Sequence, residues 1–305
     1  MTKLSVCIPV YNGADTIERS IESVLSQSYS DFECVVVDND STDATVDKVS
    51  AVTDPRVRLV RNKTNVGLVG NHNRCVQVAR GDLIQFVHSD DWLLPGCLEK
   101  LVPVFDAPNV GIAFARRRVE TTDASWKASY GRLDGPLQPL APVNDGRELV
   151  RKYLAAGGYG NPIGEPTSVM VRRETLIAAG GFRPEVPQLQ DVNAWMRVLS
   201  HCDAAFIDEE LAVRWHHAGS ATDHYAGSAT LDKLWVLSDL VRSPELGRSV
   251  RARALGLWLR AFARCPQPIF QAPRVQRWSQ VRRFIGQARY LAAGPPLRFP
   301  ADDIA

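Results

Sequence analysis

The chain has 305 residues, of which 45% are hydrophobic, and a net charge of only +2. A chain of this size typically buries about three quarters of its unfolded surface, so we expect one large domain, or one domain with an appendage. The small net charge predicts no polyanionic partner, and because no apolar run reaches about 18 residues we expect no membrane-spanning segment.

The six cysteines are scattered at positions 7, 34, 75, 97, 202 and 265 without a C-x-x-C pair. This spacing favours neither a zinc site nor a redox pair, and it is typical of reduced thiols. The N-terminal segment runs directly into a strand-like pattern without the features of a secretion signal. We therefore expect a cytoplasmic protein whose contact with a membrane, if there is one, is peripheral.

Short apolar runs alternate with helix-like periods over the first hundred residues, which is the pattern of βαβ units. We predict an α/β fold with a mainly parallel, Rossmann-like sheet flanked by helices. Asp15 and Glu18 have the spacing of a capping box for the first helix, and Gly81 is placed to end the third helix in a left-handed conformation. The predicted strands are 4–10, 32–37, 57–60 and 83–87, with helices after 15, at about 43–52 and at about 70–79.

Polar side chains follow three of these strands at the point where each strand ends. They are Tyr11-Asn12, Asp38-Asn39-Asp40 and Asp90-Asp91. Ligands of open α/β sheets bind outside the carboxyl ends of the strands, so we expect these three loops to line one site.

The pattern is less regular in the second half of the chain. Residues 115–143 mix Gly, Pro and polar residues, which favours a connection across the surface. Helices are predicted at 144–156, 174–179 and 192–199, with a strand at 169–172. Beyond residue 221, helices broken by Pro predict a helical C-terminal extension.

The sequence lacks the glycine-rich loops that hold phosphates on backbone N–H groups. Neither G-x-G-x-x-G at the first turn nor G-x-x-x-x-G-K-[ST] is present, which argues against a dehydrogenase or a P-loop enzyme. Asp90 and Asp91 offer another way to hold phosphates, because two hard oxygen ligands can bind Mg²⁺ or Mn²⁺ and leave room on the ion for phosphate oxygens. Adjacent acids are also common in solvated loops, and Asp91 alternatively caps the segment that starts near Leu94.

Several sequence blocks come in the order and spacing of a known family. They are CIPVYN at 7–12, VVDNDSTD at 36–43, NVG at 65–67, SDD at 89–91, GGF at 180–182 and QD at 190–191. Together they resemble the family 2 inverting glycosyltransferases, which have the GT-A fold. The resemblance covers about residues 3–220 and implies a catalytic domain at 1–220, with a nucleotide-binding half at about 1–115 and an acceptor and base half at 140–220. A helical, Arg-rich region at 221–305 lies outside it.

The resemblance implies a nucleotide and metal site at the ends of the first strands. Asp38 would accept a hydrogen bond from the base or the ribose. Asp90 would contact the ribose or the metal. Asp91 would bind Mn²⁺ or Mg²⁺ together with His216 or His217. Neighbouring residues on a strand face opposite sides, so His216 and His217 point in different directions. The spacing from Arg214 favours His216, whereas the spacing to Ser220 favours His217. We prefer His217. The implied nucleotide-binding residues are Pro9, Tyr11, Asn12, Asp38, Asn65, Gly67 and Asp90.

The resemblance also implies a catalytic base, Asp191. Inverting transfer needs one carboxylate to take the proton of the acceptor hydroxyl as that oxygen attacks the anomeric carbon. Asp191 alternatively caps the helix predicted at 192–199, and both roles are compatible. Glu165, Gln190 and Trp195 stand where the family lines the donor sugar or the acceptor.

The implied reaction is hexosyl transfer from a nucleotide-diphosphate sugar, with a UDP-sugar as the expected donor. The acceptor would be a hydroxyl of a glycan or of a lipid-linked intermediate in cell-surface polysaccharide synthesis. Departures from the family pattern at Asn39, His88 and Gln190 leave a second hypothesis open, a catalytically degenerate protein that binds sugar nucleotides. Retention of the three acids Asp38, Asp91 and Asp191 favours catalysis.

The C-terminal region is rich in arginine. Residues 247–300 contain eleven Arg, no Lys and no acid, and several large apolar residues lie at 255–262. Such a segment fits peripheral contact with an anionic membrane at the inner face of the cell membrane, or a helix that docks its apolar stripe on the catalytic domain. The sequence leaves both interpretations open. We do not expect a nucleic acid partner, because no known reader motif is present.

Overall fold

The computed structural model describes residues 3–217, 229–265, 274–293 and 299. Within them, nine strands form one mixed sheet in the order β3-β2-β1-β4-β8-β6-β9-β5, and β7 pairs with β9. The strands are β1 Leu4–Val10, β2 Phe32–Asp38, β3 Val57–Arg61, β4 Leu83–Phe86, β5 Trp92–Leu93, β6 Val110–Thr121, β7 Val143–Asn144, β8 Val169–Arg172 and β9 Asp203–His216.

The first four strands are parallel, as their alternation with helices predicts. Every residue of β1 and β2 is buried because helices cover both faces of the sheet. Successive side chains enter opposite cores: Ile8 belongs to one apolar cluster and its neighbour Cys7 to the other. The predicted bounds of these four strands are confirmed to within one residue.

Helices form the outer layers of the sheet. Ile17, Ile21 and Val24 of the first helix pack into one core, whereas Val69 and Val76 of the third pack into the other. The helices are α1 Ile17–Leu25, α2 Thr45–Ser50, α3 Gly67–Val78, α4 Cys97–Leu101, α5 Ala124–Tyr130, α6 Gly146–Ala155, α7 Arg173–Ala178, α8 Gln190–Leu199, α9 Ala229–Arg242, α10 Arg248–Arg264 and α11 Arg274–Ala293.

Two local predictions at helix ends are wrong. No side chain caps α1, because the carbonyl of Gly13 accepts the N–H groups of Thr16 and Ile17 at 3.1 and 3.0 Å. Gly81 does not adopt a left-handed conformation. It is required for space instead, since a Cβ there would lie 2.6 Å from the backbone of β1.

The region from 115 to 143 is not the surface connection that its composition predicts. Strand β6 continues to Thr121 and pairs in parallel with β9, a long strand of which the sequence indicated only the end at His216. The signal is hidden because three arginines interrupt β6 at 116–118 and three acids interrupt β9 at 208–210. A strand with charged residues on its exposed part has no continuous apolar run to detect.

The C-terminal helices pack on the rest of the molecule. Residues 231–240 of α9 are all buried, and the helix packs against α8, α10 and α11. The domain boundary predicted between residues 220 and 221 falls in the segment 218–228, which is outside the described residues. Among the helices that the structure describes, none is both long enough and apolar enough to cross a bilayer.

Candidate active site

A cleft of about 620 Å³ opens at the carboxyl ends of the parallel strands. This is the edge at which polar loops were expected to meet, and those after β1, β2 and β4 do meet there. The cleft is also lined by His72, His88 and Arg214, to which the sequence assigned no definite role. Its predicted lining residues are Pro9, Tyr11, Asn65, Gly67, Asp90, Asp91, Glu165, Gln190 and Asp191.

Asn12 and Asp38 lie next to the cleft rather than on its wall. Asn12 accepts from the backbone N–H of Thr42 at 2.8 Å, in a left-handed conformation with φ of 51°, and so braces the loop. Asp38 is fully buried, with one carboxylate oxygen 3.3 Å from the backbone N–H of Ser41. Its other oxygen has no hydrogen-bond partner among the described residues, so a buried acceptor is available there.

Asn39, a departure from the family pattern, is the centre of an amide network beneath the cleft. Its Nδ2 donates to Asn65 Oδ1 at 2.9 Å, and its Oδ1 accepts from Val66 N and Asn62 Nδ2, each at 3.0 Å. Asn62 in turn donates to Asn71 at 2.9 Å. A carboxylate at position 39 could not donate to Asn65, so the amide is what holds the 65–67 turn in place here.

Asp91 is held rigidly in the loop after β4. The side chain is 2% exposed, and its oxygens accept from the backbone N–H of Trp215 at 3.0 Å and from the Thr167 hydroxyl at 2.7 Å. The Ser20 hydroxyl donates to the backbone carbonyls of Ser89 and Asp91 at 2.8 and 2.7 Å. Residues from α1 and β9 therefore fix the loop that carries both acids.

Asp90, Asp91 and His88 form a possible metal site. They can each offer one ligand atom, and these atoms all lie within 4.8 Å of one another. Burial and the neighbouring charge of Asp91 raise the pKa of Asp90, as expected for two carboxylates that lie close together. Two carboxylates beside an imidazole fit a divalent ion such as Mn²⁺ or Mg²⁺.

The buried His72 and the half-buried His88 form a pair that the sequence did not indicate. His72 is fully buried, which lowers its pKa to about 3, and its Nδ1 lies 2.9 Å from the Leu68 carbonyl. Nδ1 must therefore carry the proton, which leaves Nε2 to accept from Nε2–H of His88 at 3.3 Å. Burial lowers the pKa of His88, but Asp91 and Asp90 outweigh it and the net shift is upward.

His216 and His217 point to opposite sides at the end of β9, as expected for neighbours on a strand. His217 Nε2 lies 3.2 Å from an oxygen of Asp90. His216 stacks on Trp126 with a ring separation of 4.1 Å, and its Nδ1 lies 3.1 Å from the Thr121 hydroxyl. His217 is thus next to the acidic pair, although it does not line the cleft. The motif residues 219–220 lie outside the described part of the chain.

Asp191 lies in the first turn of α8 and on the cleft wall. The alternative that it caps this helix is wrong, because the helix begins at Gln190, two residues before the predicted start, and the cap position is Leu189. One Asp191 oxygen accepts from the Val192 N–H at 2.7 Å and the other from Asn161 Nδ2 at 2.8 Å. Burial raises its pKa to about 6, and this places the carboxylate in the range of a general base at neutral pH.

Glu165 lies between two arginines. Arg117 donates to both of its oxygens at 2.8 and 3.1 Å, and Arg214 donates to one at 2.9 Å. Burial raises the pKa of Glu165, but the guanidinium groups of Arg214 and Arg117 outweigh it and lower the pKa to about 2. The carboxylate is therefore always ionised, and it anchors Arg214 at the cleft.

Trp195 does not lie where the resemblance implies. It is fully buried and absent from the cleft wall, and its indole N–H donates to the Gly164 carbonyl at 3.1 Å. Trp195 lies one helical turn after Asp191, in the stretch of α8 in which residues 192–199 are all buried. Trp195 therefore supports the segment beside Asp191 from within the core.

Known proteins are similar to this chain in sequence. The profile of the family described as Glycosyl transferase family 2 matches residues 5–176. An uncharacterized protein of Mycobacterium tuberculosis, MT1568, is 44% identical over 261 residues, which are 85% of this chain and 82% of that protein. The UDP-Glc:alpha-D-GlcNAc-diphosphoundecaprenol beta-1,3-glucosyltransferase WfgD of Escherichia coli is 34% identical over 137 residues, which are 43% of this chain and 54% of WfgD.

Solved structures share the fold. TarS 1–349 of S. aureus, in complex with UDP-GlcNAc, has a TM-score of 0.72 at 17% identity, over 96% of this chain and 82% of that chain. The mannosyltransferase PcManGT from Pyrobaculum calidifontis, in complex with GDP-Man and Mn²⁺, has a TM-score of 0.60 at 18% identity, over 96% of this chain and 88% of that chain. The α/β architecture is thus of the GT-A type, and with a family profile that matches more than half of its length the chain belongs to glycosyl transferase family 2.

Proposed function

We propose that the protein transfers a hexose from a nucleotide-diphosphate sugar, with a UDP-sugar as donor, to an acceptor hydroxyl with inversion at the anomeric carbon. The observation that carries the proposal is that Asp191, with its pKa raised to about 6, faces the same cleft as Asp90 and Asp91. In-line displacement requires a base and a diphosphate site in one cleft, on opposite faces of the bound sugar.

In this reaction Asp191 takes the proton of the acceptor hydroxyl while that oxygen forms a bond to the anomeric carbon. The bond between that carbon and the diphosphate breaks, and the diphosphate leaves on the opposite face. A divalent ion held by Asp91 and Asp90 would supply charge neutralisation for the leaving diphosphate. Arg214, anchored by Glu165, adds a fixed positive charge to the lining of the same cleft.

The nucleotide is proposed to bind between the loops after β1 and β2. Tyr11 is 51% exposed on the cleft wall and offers an aromatic face for a base. The buried oxygen of Asp38 is an acceptor that an N–H of the base or a ribose hydroxyl would satisfy. The Asn39 network holds Asn65 and Gly67, which line the same cleft.

A glycan or a lipid-linked intermediate is the proposed acceptor. The support is the naming of relatives, one as a succinoglycan biosynthesis protein and one for transfer to a diphosphoundecaprenol-linked sugar. A lipid-linked acceptor would locate the reaction at the inner face of the cell membrane. We therefore propose that the exposed side of α10 contacts anionic lipid through Leu255 and Leu259, which are 38% and 55% exposed.

The other side of α10 docks on the protein. Trp258 is buried, Phe262 stacks on Phe284 at 4.3 Å, and Arg253 donates to the Leu154 carbonyl at 3.2 Å.

Co-sedimentation of the protein with phosphatidylglycerol vesicles should exceed that with phosphatidylcholine vesicles and should weaken with salt. A Leu255→Ser, Leu259→Ser double variant should lose the binding; equal binding of both vesicle types would contradict the membrane contact.

Thermal shift and product release together test the proposed activity. UDP-glucose or UDP-GlcNAc with Mn²⁺ should raise the melting temperature, since a ligand at about 100 times its Kd stabilises by about 2.7 kcal/mol. UDP release should require a divalent ion and should be lost in Asp191→Asn. Binding without release would favour the degenerate alternative, and undiminished release by Asp191→Asn would show that the base is another residue.

A further inference from the structure

A glycine-rich turn at 157–164 runs beside the carboxylate of Asp191. Four of its glycines have positive φ: Gly157, Gly158, Gly160 and Gly164. Residues with side chains rarely adopt this conformation, so the path of the turn is specified by its glycines. The turn carries one amide side chain, Asn161, which is half-buried and has no role in the proposed function so far.

Hydrogen bonds fix the orientation of the Asn161 amide. Its oxygen accepts from the backbone N–H of Gly164 at 3.0 Å, and its nitrogen donates to the Gly164 carbonyl and to Asp191 Oδ2, each at 2.8 Å. A backbone N–H can only donate, so the amide oxygen must face it. The NH₂ group therefore faces Asp191, and both of its hydrogens are engaged.

The turn and α8 are joined at a second point. The Gly164 carbonyl also accepts from the indole of Trp195, at 3.1 Å, one helical turn after Asp191. A side chain could not replace the glycine, because a Cβ at position 164 would clash with the Ser168 hydroxyl. Asn161 is consequently held against a rigid support and cannot follow Asp191 if that side chain rotates.

We propose that Asn161 is a positioning residue for proton transfer, which holds the Asp191 carboxylate in the orientation that accepts the proton of the acceptor hydroxyl. This inference rests on the proposed function, in which Asp191 is the base. Asn161 keeps its own protons, and the proton moves only from the acceptor oxygen to Asp191. A hydrogen bond that favours the ionised form lowers a carboxyl pKa, as the Val192 N–H does at Asp191. The Asn161 amide is a second donor to the same carboxylate.

The test compares Asn161→Ala and Asn161→Asp with a matched control, Asn144→Ala. Asn144 makes the same pair of bonds to a backbone, with Ala141 N–H at 2.9 Å and the Ala141 carbonyl at 2.6 Å, but no carboxylate among the described residues accepts from it. UDP release from UDP-glucose and UDP-GlcNAc with Mn²⁺ is measured from about pH 5 to about pH 9. Thermal melting of each variant reports its folding.

Asn161→Ala should lower kcat about 10- to 100-fold, the loss expected when a hydrogen bond to a charged group is removed. The donor KM should stay within about twofold, because the nucleotide loops are untouched. The acid limb of the pH profile should move to higher pH, and further still in Asn161→Asp, where two carboxyls adjoin. Asn144→Ala should change kcat by no more than about twofold, and the acid limb of its pH profile should stay at the wild-type position.

An acid limb at the wild-type position in Asn161→Ala, or effects equal to those of Asn144→Ala, would show that Asn161 only braces the turn. Release of UDP by Asp191→Asn at the wild-type rate, or no release by the wild type, would overturn the proposed function itself. If Asn161→Ala does not melt cooperatively, the isosteric Asn161→Asp variant takes its place. A shift of its acid limb to higher pH supports the proposal, and an acid limb at the wild-type position contradicts it.

Discussion

At the scale of single residues, the pKa of Asp191 makes the proposed reaction depend on pH. Burial raises that pKa to about 6, above the unfolded value near 4, so the folded protein holds this proton more tightly than the unfolded chain does. Ionised Asp191 therefore costs stability above about pH 6, and this cost disappears as the pH falls toward the unfolded value.

A general base acts only when it is ionised. We expect kcat/KM to fall about tenfold for each pH unit below about pH 6 and to level off above it. The measurement is initial rates of UDP release in buffers of constant ionic strength, with melting curves at each pH to separate inactivation from titration. A profile that is flat down to about pH 4 would contradict the assignment of the base.

Glu165 has the opposite shift, because its pKa of about 2 lies below the unfolded value near 4.3. Its contribution to stability is present above the unfolded pKa and is lost as the pH falls toward about 2. Glu165→Gln would leave the buried Arg117 and the nearly buried Arg214 without their shared counter-charge. We expect a loss of about 3–5 kcal/mol in the free energy of unfolding, measured by urea titration at neutral pH.

Glu148→Gln is the matched control for that substitution. Glu148 pairs with Arg151 on the exposed side of α6, and both side chains are largely open to solvent. Exposed pairs of this kind contribute little to stability, so no measurable change is expected. Equal effects of the two substitutions would mean that the buried position of Glu165 does not determine its importance.

At the scale of elements, two glycines illustrate how the same substitution has opposite effects. Gly81 lies between α3 and β4, where an added Cβ would be 2.6 Å from the backbone of Leu4 and Ser5, whereas an added Cβ at Gly256 in α10 meets no described atom within 4 Å. Gly81→Ala should destabilise the protein by about 1–3 kcal/mol. Gly256→Ala should stabilise it by about 0.5–1 kcal/mol, since alanine is the better helix former.

Thermal melting followed by circular dichroism measures both effects under one condition. A Gly81→Ala protein that melts at the wild-type temperature would show that β1 and the 79–82 turn separate easily. A destabilised Gly256→Ala protein would indicate that the exposed side of α10 has a partner.

Helix α9 connects α8 and the segment before it with the C-terminal helices. Asp239 accepts from Arg183 at 2.8 Å, from the Tyr290 hydroxyl at 2.8 Å and from Asn193 of α8 at 2.7 Å. Asp232 accepts from the N–H groups of the two residues before α8, at 2.8 and 3.1 Å. The helix that begins beside Asp191 is therefore supported from the C-terminal region.

At the scale of the whole molecule, these contacts predict cooperative unfolding. One apolar cluster contains residues as far apart as Cys7 and Cys265, so the sheet and α10 share a core. We expect a single urea transition, with coincident midpoints by tryptophan fluorescence and far-UV circular dichroism. An early transition seen by fluorescence alone would show that the C-terminal helices unfold separately from the sheet.

Most of the parallel sheet was predictable because its signals are local. The apolar runs of β1, β2 and β4 are continuous, and parallel strands bring the loops at their carboxyl ends to one edge. Those two facts place Tyr11, Asp90 and Asp91 at one cleft without any knowledge of side-chain contacts. The blocks that carry the family resemblance lie mostly in this half of the chain.

The remaining features depend on pairs of residues that are distant in sequence. The Arg117–Glu165–Arg214 cluster, the contact between His72 and His88 and the bond from Asn161 to Asp191 each join different elements. Burial of Trp195 and the pairing of β6 with β9 are of the same kind. Residue type and strand periodicity are local properties, so the acids available for the chemistry could be identified from the sequence. Their ionisation and orientation could not, because both depend on charges and donors that folding brings from distant parts of the chain.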